Sequence, residues 1–93
     1  MHTKNDQWVV YMVLCSDGTL YTGITNDLQR RIKQHNSPRG GARYTRGRQP
    51  VALVYQEDCP DRSTAGKREA RLRKLSVKEK CHLVNIGTAQ TGL

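Results

Sequence analysis

Tyr21, Gly23, Arg31 and His35 lie close together in the stretch LYTGITNDLQRRIKQH (20–35), with Tyr11 before them and Glu69 well after. These are side chains that move protons and hold anions. A phenol can orient or deprotonate a water once nearby positive charge lowers its pKa from about 10. A guanidinium grips phosphate with a planar fork that lysine lacks. An imidazole can share in proton transfer, and a carboxylate can hold a hard cation or act as acid or base. Each residue also has a plainer reading. The tyrosines suit strand packing, Gly23 a bulge, Arg31 a core edge, and His35 a helix C-terminus that favours a cation. The chemistry needs these groups to converge, so it depends on the elements that carry them.

QWVVYMVLC (7–15) is a continuous apolar run rich in β-branched and aromatic residues, as expected of a buried strand. SDG (16–18) is a turn signal and LYTGI (20–24) the return strand of a hairpin. The turn length decides where the tyrosines point. A two-residue turn at Asp17-Gly18 sets Tyr11 opposite Ile24 and puts the two phenols on opposite faces. A three-residue turn, Ser16-Asp17-Gly18 with Gly18 at positive φ, sets Val13 opposite Tyr21 and Tyr11 opposite Gly23. Both phenols then share a face as diagonal neighbours, about 7–8 Å apart at the backbone, and Gly23 leaves room beside the Tyr11 ring. We expect the three-residue turn.

The next helix starts at Thr25 or Asn26, either of which can cap, with Asp27 in its first turn. Leu28 and Ile32 share one face, Arg31 and His35 fall at its edge, and Arg30 points to solvent. NSPRGGARYTRGRQP (36–50) reads as a Gly/Pro-rich loop carrying Arg39, Arg43, Arg46 and Arg48 around Tyr44. VALVYQE (51–57) is a third strand. Ser63 or Thr64 caps a helix running to about Leu75, and SVKE (76–79) is a capping box that starts another. That last helix is expected to end near Val84 or Asn85, leaving 85–93 as a loose tail. The fold class expected is α/β in the α+β sense: one domain spanning 1–93, with a core at about 8–84 and a small, mostly antiparallel three-stranded sheet flanked by helices. Ala65, Leu72 and Leu75 mark the apolar stripe of the 63–75 helix, and Glu69 projects onto it among basic neighbours. A carboxylate aimed at a core needs a partner. An ion pair with a neighbouring arginine and a metal-ligand or acid–base role both satisfy that need.

The chain has 93 residues with 16 Lys and Arg against 8 Asp and Glu, a formal charge of +8. A polyanionic partner follows, nucleic acid before an anionic membrane. No run of about 18 apolar residues exists to span a membrane, and MHTKNDQW lacks a signal-peptide core, so a cytoplasmic location is expected. Cys15, Cys59 and Cys81 form neither a CxxC pair nor a zinc spacing, and read as packing residues. The loop arginines with Tyr44 suit phosphate contacts plus stacking on an unpaired base. Lys74, on the basic face of the 63–75 helix, extends that footprint. No base-reading element is apparent.

Tyr11, YTG (21–23), Arg31, His35 and Glu69, in that order on hairpin, helix and later helix, resemble the GIY-YIG nuclease family. The similarity covers roughly residues 8–84. The first signature is reduced to VVY (9–11), and Thr22 stands where the family name has isoleucine. The small stand-alone bacterial proteins of this family are the most similar. The resemblance implies an endonuclease acting on nucleic acid, DNA with single-stranded or branched features first. It implies one divalent cation, Mg²⁺ or Mn²⁺, held by Glu69 and substrate phosphate, with Arg31 on the scissile phosphate. Tyr11 is favoured as the base and Tyr21 as the positioner, although the residues themselves do not separate these roles. His35 would share proton transfer or touch phosphate. The alternative is a binding module that keeps the fold without catalysis. The small surface leaves room for a protein partner that supplies affinity.

Overall fold

β1 (Trp8–Leu14) lies between β2 (Leu20–Thr25) and β3 (Ala52–Cys59), antiparallel to both. The computed structural model describes residues 7–38 and 40–90, with side chains as far as Val84. As the middle strand, β1 is covered on both faces, which is why its apolar run is unbroken rather than alternating. Val10 packs one way, with Cys59, Ala65 and Leu72. Tyr11 and Val13 pack the other way, with Cys15 and Val51. The β1–β3 register slips by one residue between Met12 and Val13, as a β-bulge requires.

The hairpin has the three-residue turn. Cys15 N–H donates to Thr19 O at 2.8 Å around Ser16-Asp17-Gly18, and Gly18 has φ +86°. Asp17 stabilises the turn by accepting from Thr19 N at 3.0 Å and Thr19 Oγ1 at 2.6 Å. Tyr11 therefore pairs with Gly23 and Val13 with Tyr21.

α1 (Leu28–His35) buries Leu28 and Ile32 against the Tyr11 side of the sheet and leaves Arg30 exposed, as its periodicity predicts. Its cap is Asp27, which accepts from Arg30 N at 3.3 Å, not Thr25 or Asn26. Thr25 is still paired with Val9 in the sheet, so the chain cannot turn into a helix there. The Thr25 hydroxyl instead accepts from Asp27 N at 3.0 Å. Eight residues make a helix too short to stand alone, so packing and clamps hold it. Asn36 supplies one clamp: its side chain accepts from Val51 N at 2.7 Å and donates to Val51 O at 3.0 Å.

The segment expected to be loop throughout contains a one-turn helix, α2 (Arg43–Arg46). It is folded back onto α1. A Cβ at Gly41, where φ is +79°, would lie 2.7 Å from His35 Cα. Only glycine allows both that backbone and that approach. α3 (Arg62–Arg73) is capped by Asp61, which accepts from Thr64 N at 2.7 Å, rather than by Ser63 or Thr64, and it stops two residues before Leu75. The capping box forms as expected: Ser76 N donates to Glu79 Oε1 at 2.9 Å and Glu79 N to Ser76 Oγ at 3.1 Å. α4 (Val77–Gln90) runs past the end expected at Val84 or Asn85 and takes in most of the expected tail. Asn85 and Gly87 are weak helix formers, and without a proline the penalty is small. Residues 91–93 lie outside the described residues. α3 packs on β1 and β2, and α4 on β3. Among the described residues no helix is long and apolar enough to cross a membrane.

Candidate active site

Tyr11 and Tyr21 meet on the α1 side of the sheet with ring centroids 6.5 Å apart. His35, at the last turn of α1, closes the triangle, 5.7 Å from Tyr11 and 5.4 Å edge-on to Tyr21. Tyr11 Oη lies 2.7 Å from His35 Nε2, and both residues are fully buried. Gly23 makes the arrangement possible, because a Cβ there would sit 2.6 Å from Tyr11 Oη.

The electrostatics set the resting protonation. Burial raises the Tyr11 pKa above 10, while the Arg31 guanidinium beside it, as hydrogen-bond donor and positive charge, pulls it down. Negative charge on Tyr21 and Glu69 pushes it up further, so all three neighbours act on the Tyr11 phenol. His35 is pushed down to about 4, chiefly by burial and then by the Arg31 charge. It is neutral at pH 7 and can accept a proton. Arg31 is steadied by Gln34, its Nη1 donating to Oε1 at 3.0 Å.

The lowered His35 pKa makes stability acid-sensitive. The unfolded chain binds the histidine proton near pH 6.5 and the folded chain only near 4, so its contribution is complete above 6.5. It is lost as pH falls through that window. The loss reaches about 3 kcal/mol at most. Urea midpoints at pH 7 and 4.5 should diverge in the wild type and diverge less in His35→Gln; parallel curves would disprove the assignment.

Glu69, on α3, is covered to 20% exposure and paired with the more exposed Arg73 at 2.9 Å, one turn along. The ion-pair reading of Glu69 is the one this contact carries. The carboxylate is satisfied without a metal, but by an exposed partner that can swing away. Among the described residues no group of three or more His, Cys, Asp or Glu could enclose a metal. One carboxylate within electrostatic reach of Tyr11 is still a fitting donor set for Mg²⁺, which keeps several waters and takes one or two carboxylates with substrate phosphate.

The loop cations divide into two kinds. Arg48 is engaged internally: its Nε pairs with Asp17 at 2.9 Å, its Nη1 donates to Tyr44 O at 2.8 Å, and its guanidinium covers the Tyr44 ring at 4.0 Å. Tyr44 in turn stacks on Tyr21 at 5.9 Å. Before any substrate arrives, Tyr44 and Arg48 brace the site. Arg43 and Arg46 of α2 are exposed, as is Lys74 at the C-cap of α3. Arg39 lies outside the described residues. Reading the sequence missed Thr45, which is fully buried and whose Oγ1 lies 2.9 Å from His35 Nδ1. It missed Gln34 as well, although the i,i+3 spacing from Arg31 offered a signal.

The GIY-YIG catalytic domain profile matches residues 7–81. The chain belongs to the GIY-YIG family. The GIY-YIG domain is that of a nuclease superfamily, which acts on nucleic acid. This GIY-YIG chain is 57% identical over 82 residues to a UPF0213 protein of Desulfotalea psychrophila, covering 88% of this chain and 74% of that one. It is 51% identical over 71 residues to a UPF0213 protein of Halobacterium salinarum, covering 76% of this chain and 91% of the relative. Its fold is similar to the solution NMR structure of a UPF0213 protein from Bacillus halodurans, with TM-score 0.56 and 42% identity. That match covers 86% of this chain and 84% of the other. Thr22, which stands where the family name has isoleucine, faces away from the phenols and is buried.

Proposed function

We propose that the protein is an endonuclease that hydrolyses phosphodiester bonds in nucleic acid, DNA with single-stranded or branched features first. The observation that carries this reading is the buried 2.7 Å contact between Tyr11 Oη and His35 Nε2 beside Arg31. A proton-transfer pair held against an anion-binding group is what phosphate hydrolysis needs.

Arg31 takes the scissile phosphate. In doing so it turns from the Tyr11 hydroxyl, to which it hydrogen-bonds at rest, and opens the buried oxygen to a water. Tyr11 Oη orients that water and accepts its proton, while His35 Nε2 takes the phenolic proton. Tyr21, half exposed at the mouth of the site, positions water and phosphate. Glu69 would hold Mg²⁺ or Mn²⁺ together with a phosphate oxygen, after releasing Arg73. When bound, the cation supplies charge neutralisation at the phosphate as the bond to the leaving oxygen breaks. The exposed Arg43, Arg46 and Lys74 track the backbone on either side, and Arg39 belongs to the same proposed footprint.

A second reading is a binding module that keeps the fold without catalysis. The Glu69–Arg73 pair favours it, because the acid is satisfied within the protein. Nicking of supercoiled plasmid and cleavage of a branched DNA, with Mg²⁺, Mn²⁺ or EDTA, separate the two. The enzyme should cut only with the divalent ion, and Arg31→Ala should be slower by about 10²-fold. Arg31→Lys should recover little of that loss, since the fork is gone. Binding without cleavage under any metal would support the module.

A further inference from the structure

Thr45 is buried at 0% exposure on the one-turn helix α2, and its hydroxyl has two polar neighbours. One is Ala42 O at 2.9 Å. Ala42 O also accepts from Thr45 N at 3.0 Å and Arg46 N at 3.2 Å, and the Thr45 hydroxyl is directed at it as donor, so we place the single hydroxyl proton there. The other is His35 Nδ1, also at 2.9 Å. With its own proton committed, Thr45 Oγ1 can only accept from that nitrogen, so Nδ1 carries the ring hydrogen. Ala42 N–H also lies near Nδ1, at 3.4 Å. A backbone N–H can only donate, so this contact opposes a hydrogen on Nδ1; at 3.4 Å it is the longer and weaker of the two, and the 2.9 Å contact to Thr45 outweighs it. A neutral imidazole protonated at Nδ1 has a bare Nε2, and the bare nitrogen is the one facing Tyr11 Oη at 2.7 Å.

We infer that Thr45 is a positioning residue: with Ala42 O it fixes the ring hydrogen of His35 on Nδ1, so that Nε2 is the atom that receives the Tyr11 proton. The proton count closes. Water gives a proton to Tyr11 Oη as its oxygen bonds to phosphorus, and Tyr11 gives its own proton to Nε2. The imidazolium then holds one hydrogen on each nitrogen, with Nδ1–H still on Thr45, and the leaving oxygen takes a proton from solvent water. In the opposite tautomer Nε2–H would donate to Tyr11, and the phenol could not pass its proton on. The role in turnover rests on the nuclease reading above; the tautomer does not.

Two measurements therefore test it separately. The first is the ¹⁵N chemical shift and ¹H–¹⁵N long-range coupling pattern of the His35 ring in the wild type, Thr45→Ser and Thr45→Val at pH 7. The wild type and Thr45→Ser should show protonated Nδ1 and bare Nε2. Thr45→Val, nearly the same shape without the hydroxyl, should lose that preference. A wild-type ring protonated at Nε2, or a valine variant with the wild-type pattern, overturns the inference. If Thr45→Val does not fold, the wild-type and serine spectra still decide. The second is single-turnover DNA cleavage. Thr45→Val should lose about 10²-fold in maximal rate with the half-saturating protein concentration unchanged, and Thr45→Ser should restore most of it. A normal rate in Thr45→Val overturns the positioning role. Absence of cleavage in every protein, wild type included, counts against the nuclease reading and leaves the spectra to judge the tautomer.

Discussion

Tyr11→Phe should cut DNA about 10³-fold more slowly than the wild type in single turnover, within the range general acid–base groups contribute. The ring stays, so packing against Val13 and Gly23 stays with it. Only the oxygen between the water and His35 Nε2 is lost. The variant also strands Nε2 without its partner in a buried site, which costs about 1–3 kcal/mol. Urea unfolding must accompany the kinetics, so that lost activity is not mistaken for lost fold. Tyr21→Phe provides the internal comparison. Tyr21 is half exposed and touches His35 only through its ring edge, so its hydroxyl should matter less, by about tenfold. If Tyr11→Phe cleaves at the wild-type rate, or Tyr21→Phe is the more damaged, the two phenols have been assigned the wrong way round.

Glu69→Gln should lose divalent-dependent cleavage by about 10³-fold or more, since neutralisation by the cation is worth several kcal/mol. The amide keeps the shape and most hydrogen bonding but not the charge. The objection is that any effect reflects the broken Glu69–Arg73 pair. Arg73→Met answers it by breaking the same pair while keeping the carboxylate. A helical pair one turn apart, with its arginine in solvent, contributes only about 0.5 kcal/mol. Arg73→Met should therefore stay folded and active, with cleavage saturating at lower Mg²⁺ because no cation competes for Glu69. Equal loss in both variants would mean the ion pair, not the acid, is what the site needs. DNA binding in EDTA should be little changed by either substitution.

The part of the site legible in the sequence was the part fixed by counting. Turn length sets hairpin register, and register sets which face a side chain takes, so Tyr11 opposite Gly23 followed from SDG. Helical spacing placed Leu28, Ile32 and His35 on one face of α1. The caps were harder. Thr25 and Ser63 are good capping residues by type, but strand pairing holds Thr25 back, and at α3 Asp61 takes the role. α2 was illegible because one turn rich in arginine has no periodicity to detect. Thr45 was illegible for a deeper reason: its partner His35 lies ten residues away and is reached only because Gly41 folds the chain back. Charge and ring make Arg48 and Tyr44 read as substrate contacts, but do not reveal that they also hold each other and Tyr21. Asp17, which holds Arg48 in place, comes from the distant hairpin turn.

The Ser16-Asp17-Gly18 loop therefore constrains evolution of the chain unevenly. Replacing Ser16 changes one exposed side chain. Inserting or deleting one residue there would move Tyr21 across the β-layer and leave Ile24 or Thr22 opposite Tyr11 in place of Gly23. A single-codon indel at this remote tip would dismantle the chemistry without touching any residue that performs it.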